Sequence, residues 1–167
     1  MTMPTLITHE QLIQLSQQAA EQVRRRQNLN LHPQLDDPVQ RMFNALEPGT
    51  YVRPHRHARN EGWELMLCPH GAMTVLLFDA DGQILQRMGL GPDAPAVAVE
   101  IPAHTWHTVR ADRPGTVMFE VKPGPYSPLA DKDFAPWAPS EGNPACARLL
   151  DWFASAQPGD RPPPLEV

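Results

Sequence analysis

The chain has 167 residues, 14 Lys and Arg against 19 Asp and Glu for a net charge of −5, and 41% hydrophobic residues. That is the size of one domain with its own core, and the acidic balance excludes a basic face for nucleic acid or anionic membrane. No run of 18 apolar residues is present to cross a bilayer. Cys68 and Cys146, far apart and outside any C-x-x-C spacing, exclude a disulfide framework and a thiolate zinc site. Residues 1–10 lack the basic start and apolar middle of a secretory signal, so a cytoplasmic location is expected.

In chain order, residues 8–27 read as a helix, with Leu12, Leu15, Ala19 and Val23 at helical spacing and Thr8 with Gln11 as a capping box. Arg24, Arg25 and Arg26 then read as cations favoured by the helix C-terminus. From 39 to 121 the chain becomes short apolar runs cut by Gly, Pro, Asp and Asn, which predicts strands at 39–46, 50–53, 63–68, 73–78, 83–89, 97–101, 106–110 and 116–121. Eight such strands suit an all-β jelly-roll barrel. Asp79 to Gly82 is the plainest hairpin turn. Repeated prolines after Val121 predict an irregular wrap, followed by a short helix at 144–156 with Leu149, Leu150, Trp152 and Phe153 as its apolar face. The tail from 157 to 167 is expected to have no fold of its own. The organisation is therefore an N-terminal helix and connector (1–33), a barrel (34–126), and a wrap, helix and tail (127–167).

His55 and His57 lie two apart, so on a strand both imidazoles face one side and can chelate one ion. Glu64 sits in the apolar run Trp63 to Leu67, where an unpaired carboxylate would cost roughly several kcal/mol, and a divalent cation is a sufficient partner. Glu61, between Asn60 and Gly62, is the competing carboxylate, in a turn where a charge is simply solvated. His104 and His107 follow Pro102, the first in a turn and the second on a strand. Tyr51 and Arg53 share the parity of the two histidines, which places them either in the same cavity as substrate contacts or outward at a strand end. Trp63 and Trp106 each neighbour a proposed site residue and by alternation face away from it, and Cys68 reads as a structural thiol. The side on which Glu120 and Lys122 lie is left open.

These residues resemble the cupins, whose first motif is a glycine, five residues, His-x-His, a short gap, Glu, six residues and a glycine; Gly49, His55, His57, Glu64 and Gly71 meet it with a longer loop between His57 and Glu64. Of the second motif Pro102 and His107 match, while Ala96, His104 and Ala111 replace its two glycines and its asparagine. More narrowly, Arg24 to Arg26, Asp37 to Leu46, Pro54 to His57, Phe119 to Tyr126 and Asp133 to Trp137 resemble the WbuC family of cupin-fold metalloproteins. The resemblance implies His55, His57, Glu64 and His107 as ligands of one divalent ion, and a bacterial cytoplasmic protein whose family has, for some members, a home among polysaccharide or lipopolysaccharide biosynthesis genes; it implies no known reaction. Imidazole with carboxylate suits zinc, iron, nickel, manganese or copper alike.

The leading expectation is a metal-dependent enzyme on a small, sugar-like molecule, with isomerisation, epimerisation and oxygen-dependent cleavage equally open. The alternative is a metal-dependent sugar-binding or regulatory module without turnover, since no general base beyond the ligands is visible. The apolar Trp63, Leu65 and Leu67 face of one strand needs cover, which predicts a homodimer unless the N-terminal helix supplies it.

Overall fold

Strand formation follows the apolar runs, and the computed structural model describes residues 3–130 and 133–165. The ends of the expected connector and tail (1–2, 166–167) and residues 131–132 of the wrap lie outside these. Among the described residues eight strands form: β1 (Arg26–Asn30), β2 (Val39–Leu46), β3 (Glu64–His70), β4 (Met73–Phe78), β5 (Ile84–Leu90), β6 (Ala98–Ile101), β7 (Trp106–Ala111) and β8 (Thr116–Pro123), flanked by α1 (His9–Glu21) and α2 (Cys146–Ser155). They make a five-stranded sheet in the order β1-β2-β8-β3-β6 and a three-stranded sheet β5-β4-β7, antiparallel throughout. This is the expected jelly roll, although among the described residues the two sheets remain separate ladders and do not close into a barrel.

Three apolar clusters hold the layers. Between the sheets lie Leu46, Met66, Val75, Ile101, Val109 and Met118. Leu12, Leu15 and Ala19 of α1 pack on Ala45 and Val117, on the outer face of the large sheet. Leu149 and Phe153 of α2 pack on Leu76, Phe78 and Ile84, outside the small sheet. Strand β4 is thus covered on both faces, which is why its sequence is apolar but for Thr74, whose hydroxyl donates to Asp112 Oδ2 at 2.8 Å. Arg87 donates to the carbonyls of Phe153 (2.7 Å), Ala154 (3.1 Å) and Ala156 (3.2 Å), a cation on the C-terminal end of α2. Among the described residues no helix is long and apolar enough to cross a membrane.

Four differences from the sequence reading have physical causes. Helix α1 ends at Glu21, where Gln22 leaves the helix with extended backbone (φ −80°, ψ 145°), and a turn through left-handed Arg25 (φ +54°) sends the chain into β1, paired with β2 from Arg26↔Leu46 to Asn30↔Met42. The strain is offset by Arg25 Nε donating to Pro48 O at 2.8 Å and by Glu47 N donating to Arg25 O at 3.0 Å. Strand β1 lies in the segment expected as a connector, and the arginine run lies beyond the helix: Arg24 grips Glu141 through Nε and Nη2, each at 2.8 Å, with Arg26 Nη2 at 2.9 Å. Residues 50–53 form no strand, because Arg26 takes the Tyr51 carbonyl (2.9 Å) and the Thr108 hydroxyl takes that of Val52 (2.5 Å). The tail is pinned to β5, with Ile84 N donating to Asp160 O at 2.9 Å and Gly159 N to Ile84 O at 2.8 Å. The Asp79 to Gly82 turn forms as expected, Gly82 at φ +90° and Asp79 Oδ1 accepting from Asp81 N and Gln83 N at 2.9 and 2.8 Å.

Candidate metal centre

The inner face of β3 begins at Glu64 and continues through Met66 and Cys68, while His107 opens the inner face of β7. The extended segment after Tyr51 lies along β7 by an isolated bridge, His55 N to His107 O at 3.0 Å and His107 N to His55 O at 2.9 Å. That bridge puts the His55 and His107 rings 4.4 Å apart. His57 is held by His104 N donating to its carbonyl at 2.9 Å, from a turn in which His104 takes φ +65° where the resembled motif has glycine. Gly62 is required beside it, since a Cβ there would stand 2.8 Å from His57 Cβ. The outcome is that one nitrogen or oxygen from each of His55, His57, Glu64 and His107 lies within 4.8 Å of all the others. Glu61 stays exposed in its turn.

The ring orientations are set from behind. His55 Nδ1 lies 2.9 Å from Arg53 O and His107 Nδ1 2.9 Å from Thr105 O, so each Nδ1–H donates to a carbonyl and each Nε2 keeps its lone pair. His107 Nε2 then faces Glu64 Oε2 at 3.0 Å, and His57 Nε2 faces Glu64 Oε1 at 2.6 Å. Among the described residues, the buried His57 Nε2, His107 Nε2 and Glu64 Oε2 have no hydrogen-bond partner. Two bare lone pairs at such a distance repel unless a cation lies between them, and buried orphan acceptors of this kind are costly. The donor set fits a divalent ion. Burial, and then the neighbouring His107 ring, push His55 down to about 3, so it is neutral at physiological pH. Burial pushes Glu64 up, but its surroundings, the charge of Lys122 among them, outweigh it and hold the carboxyl well below the usual carboxylate range. Both groups are therefore in the form that binds a metal.

Beside the four lies a second polar group that the sequence reading left unassigned. Lys122 Nζ is 3.1 Å from Glu64 Oε1 and pairs with Glu120 Oε1, while Asn44 Nδ2 donates to Glu120 Oε2 at 2.8 Å. Burial pushes Glu120 up; it works against the Lys122 charge as well, yet Glu120 and Glu64 hold that ammonium above its usual value. The signal was present: a carboxylate and an amine two apart in a strand must share a face, and the other face of β8 carries the apolar Val117 that α1 covers. An interior cavity of about 590 Å³ opens over His55, Glu64, His107 and Lys122, walled by Leu46 and Met118 and rimmed by polar Asn28. A smaller cleft of about 290 Å³ shares His55 and Lys122 and adds His57.

Tyr51 and Arg53 are not brought to this centre. Tyr51 packs in the α2 cluster and donates to Pro139 O at 2.9 Å. Arg53 reaches into the Pro-rich wrap, donating to Ala138 O at 3.0 Å and Ser140 Oγ at 3.2 Å, with its guanidinium 4.9 Å from the Phe134 ring centre. Parity failed for them because side-chain alternation holds within a ladder, and this segment belongs to none. Trp106 is core and Cys68 lies between the sheets, whereas Trp63 is exposed at the surface.

A family model described as "Domain of unknown function (DUF6016)" matches residues 7–90, half of the chain. The chain belongs to this family. The DUF6016 match spans His55, His57 and Glu64 and ends before His107. No curated protein matches by sequence. Among solved structures, the chain is similar to a cupin superfamily protein from Desulfitobacterium hafniense DCB-2 (19% identity, 59% of this chain and 76% of that one, TM-score 0.46). It is also similar to KdgF from Halomonas sp. (23% identity, 59% and 81%, TM-score 0.43) and to a conserved protein of unknown function from Streptococcus pyogenes (16% identity, 76% and 98%, TM-score 0.49).

Proposed function

We propose that this DUF6016 chain is a metal-binding cupin that acts as a metal-dependent enzyme on a small, polar, sugar-like molecule held in the interior cavity. The observation that carries the reading is the convergence of three buried nitrogen and oxygen atoms, on His57, Glu64 and His107, that have no hydrogen-bond partner among the described residues, with the neutral His55 ring beside them. Bound there, one divalent ion supplies Lewis acidity to a substrate hydroxyl or carbonyl oxygen. The chain does the rest. The Arg53 and Thr105 carbonyls fix the imidazoles, Leu46, Met66 and Met118 line one wall of the cavity, and Asn28 at the rim, its Nδ2 donating to Asn30 Oδ1 at 2.7 Å, offers its amide oxygen to substrate hydroxyls. Isomerase or epimerase chemistry and oxygen-dependent cleavage are the reaction classes in view.

One observation favours a second reading, a metal-dependent sugar-binding or regulatory module without turnover: Glu120, the cavity carboxylate outside the ligand set, is tied up by Lys122 and Asn44. The likeness of the quoted segments to the WbuC family supports a setting in polysaccharide or lipopolysaccharide biosynthesis, in the cytoplasm. Calorimetry with sugar acids, sugar phosphates and nucleotide sugars on metal-free and metal-loaded protein tests the proposal. Binding confined to the loaded protein is expected. Equal affinity in both forms would remove the ion from recognition and refute it.

A further inference from the structure

The inner face of β8 presents Met118, Glu120 and Lys122 to the cavity, and the pairing of Leu65 with Val121 sets Lys122 beside Glu64. An ammonium has three donors. One serves Glu64 Oε1 at 3.1 Å and one serves Glu120 Oε1. The lysine side chain is nevertheless 23% exposed, against 2% for Glu64 and 8% for Glu120, and it lines both the interior cavity and the smaller cleft. A lysine that merely neutralised two buried carboxylates would be enclosed by them; this one borders open space, and among the described residues only two of its three donors are taken. Its hold on Oε1 also leaves Oε2, buried and unpartnered, as the Glu64 oxygen free for an ion. With a dication in place, the ion, Glu64, Glu120 and Lys122 together carry one net positive charge, which a single monoanion neutralises.

We propose that Lys122 is the second cation of the centre, restricting Glu64 to one-oxygen binding of the ion and presenting its ammonium to an anionic oxygen of the bound molecule. The inference rests on the metal-centre reading and narrows its ligand class to small monoanions with a neighbouring hydroxyl, as in hydroxy acids and sugar acids. Lys122 acts on the ion as a positioning residue, through Glu64, and on the ligand directly.

The test uses cobalt(II) as metal and glycolate as probe, followed by visible absorption and calorimetry. Because Lys122→Met alone leaves Glu120 buried and unpaired, the variant to compare with wild type is Lys122→Met with Glu120→Gln, which keeps the net charge of the cavity floor; circular dichroism verifies its fold. The variant is expected to hold one cobalt per chain, to show a weaker visible band as Glu64 closes on the metal with both oxygens, and to bind glycolate roughly tenfold or more weakly. Unchanged glycolate affinity in the cobalt-loaded variant overturns the inference, whatever the spectrum does. Failure of the wild-type protein to bind cobalt overturns the metal-centre reading, and the inference with it.

Discussion

Replacing Arg53 by alanine separates two roles that the sequence made look alike. The Arg53 side chain donates to the carbonyls of Ala138 at 3.0 Å and Ala135 at 3.4 Å, and to Ser140 Oγ at 3.2 Å. Ala138 is buried, so truncation leaves its carbonyl without a partner, while the Ala135 carbonyl keeps the Ala138 N–H at 3.1 Å. Charge-assisted bonds contribute about 1.5–3 kcal/mol each and the Phe134 stack about 0.5–1 kcal/mol. With the longer bond weak and the guanidinium half-buried, the loss comes to about 2–3 kcal/mol. For a chain of this size that lowers Tm by roughly 4–12 °C. The metal should stay, because His55 Nδ1 is held by the main-chain carbonyl of Arg53, which alanine also has. Thermal unfolding by circular dichroism, with metal content measured on the same sample, reads both. A wild-type Tm, or loss of metal at unchanged stability, would refute this reasoning.

Three further outcomes are expected. In metal-free protein His55 is depressed from 6.5 to about 3 by burial, so the unfolded chain takes up its proton first; stability is complete above pH 6.5 and falls as pH drops toward 3, with Glu64 adding its loss only below about 4.5. Urea melts at pH 7, 6 and 5 should show the decline, and His55→Gln should flatten it. His104→Gly removes left-handed strain at φ +65° and should hold or raise stability by up to about 1 kcal/mol, while His104→Val should lower it; a lower Tm for the glycine variant would contradict the turn geometry. Helix α1 packs on Ala45 and Val117 and leaves Trp63 exposed, and Leu65, Leu67, Phe43 and Phe119 only half-buried, so a dimer through this sheet face is expected in light scattering; a monomer at micromolar concentration would exclude it.

The four centre residues were legible because each carries an anomaly in a simple pattern: two imidazoles at strand spacing, a carboxylate in an apolar run, a histidine after a proline turn. Strand β1 was not legible, since its inner face meets a polar cavity rim and Arg26, Asn28 and Asn30 leave no apolar alternation to read. The role of Arg24 and Arg26 depends on Glu141, more than a hundred residues away, a pairing that no local pattern encodes. Left-handed Arg25 was hidden for a related reason, because arginine does not announce a positive φ, whereas left-handed His104 stands where the resembled motif has glycine.

The most direct measurement is elemental analysis of the purified wild-type protein beside a His55→Ala, His107→Ala double variant. One equivalent of a divalent metal per chain in the wild type, lost from the variant while its circular dichroism is kept, is the predicted result. Metal retained at full stoichiometry in the double variant, or none bound by the wild type after incubation with zinc, iron, nickel, manganese or copper, would contradict the assignment of His55, His57, Glu64 and His107 as a metal centre.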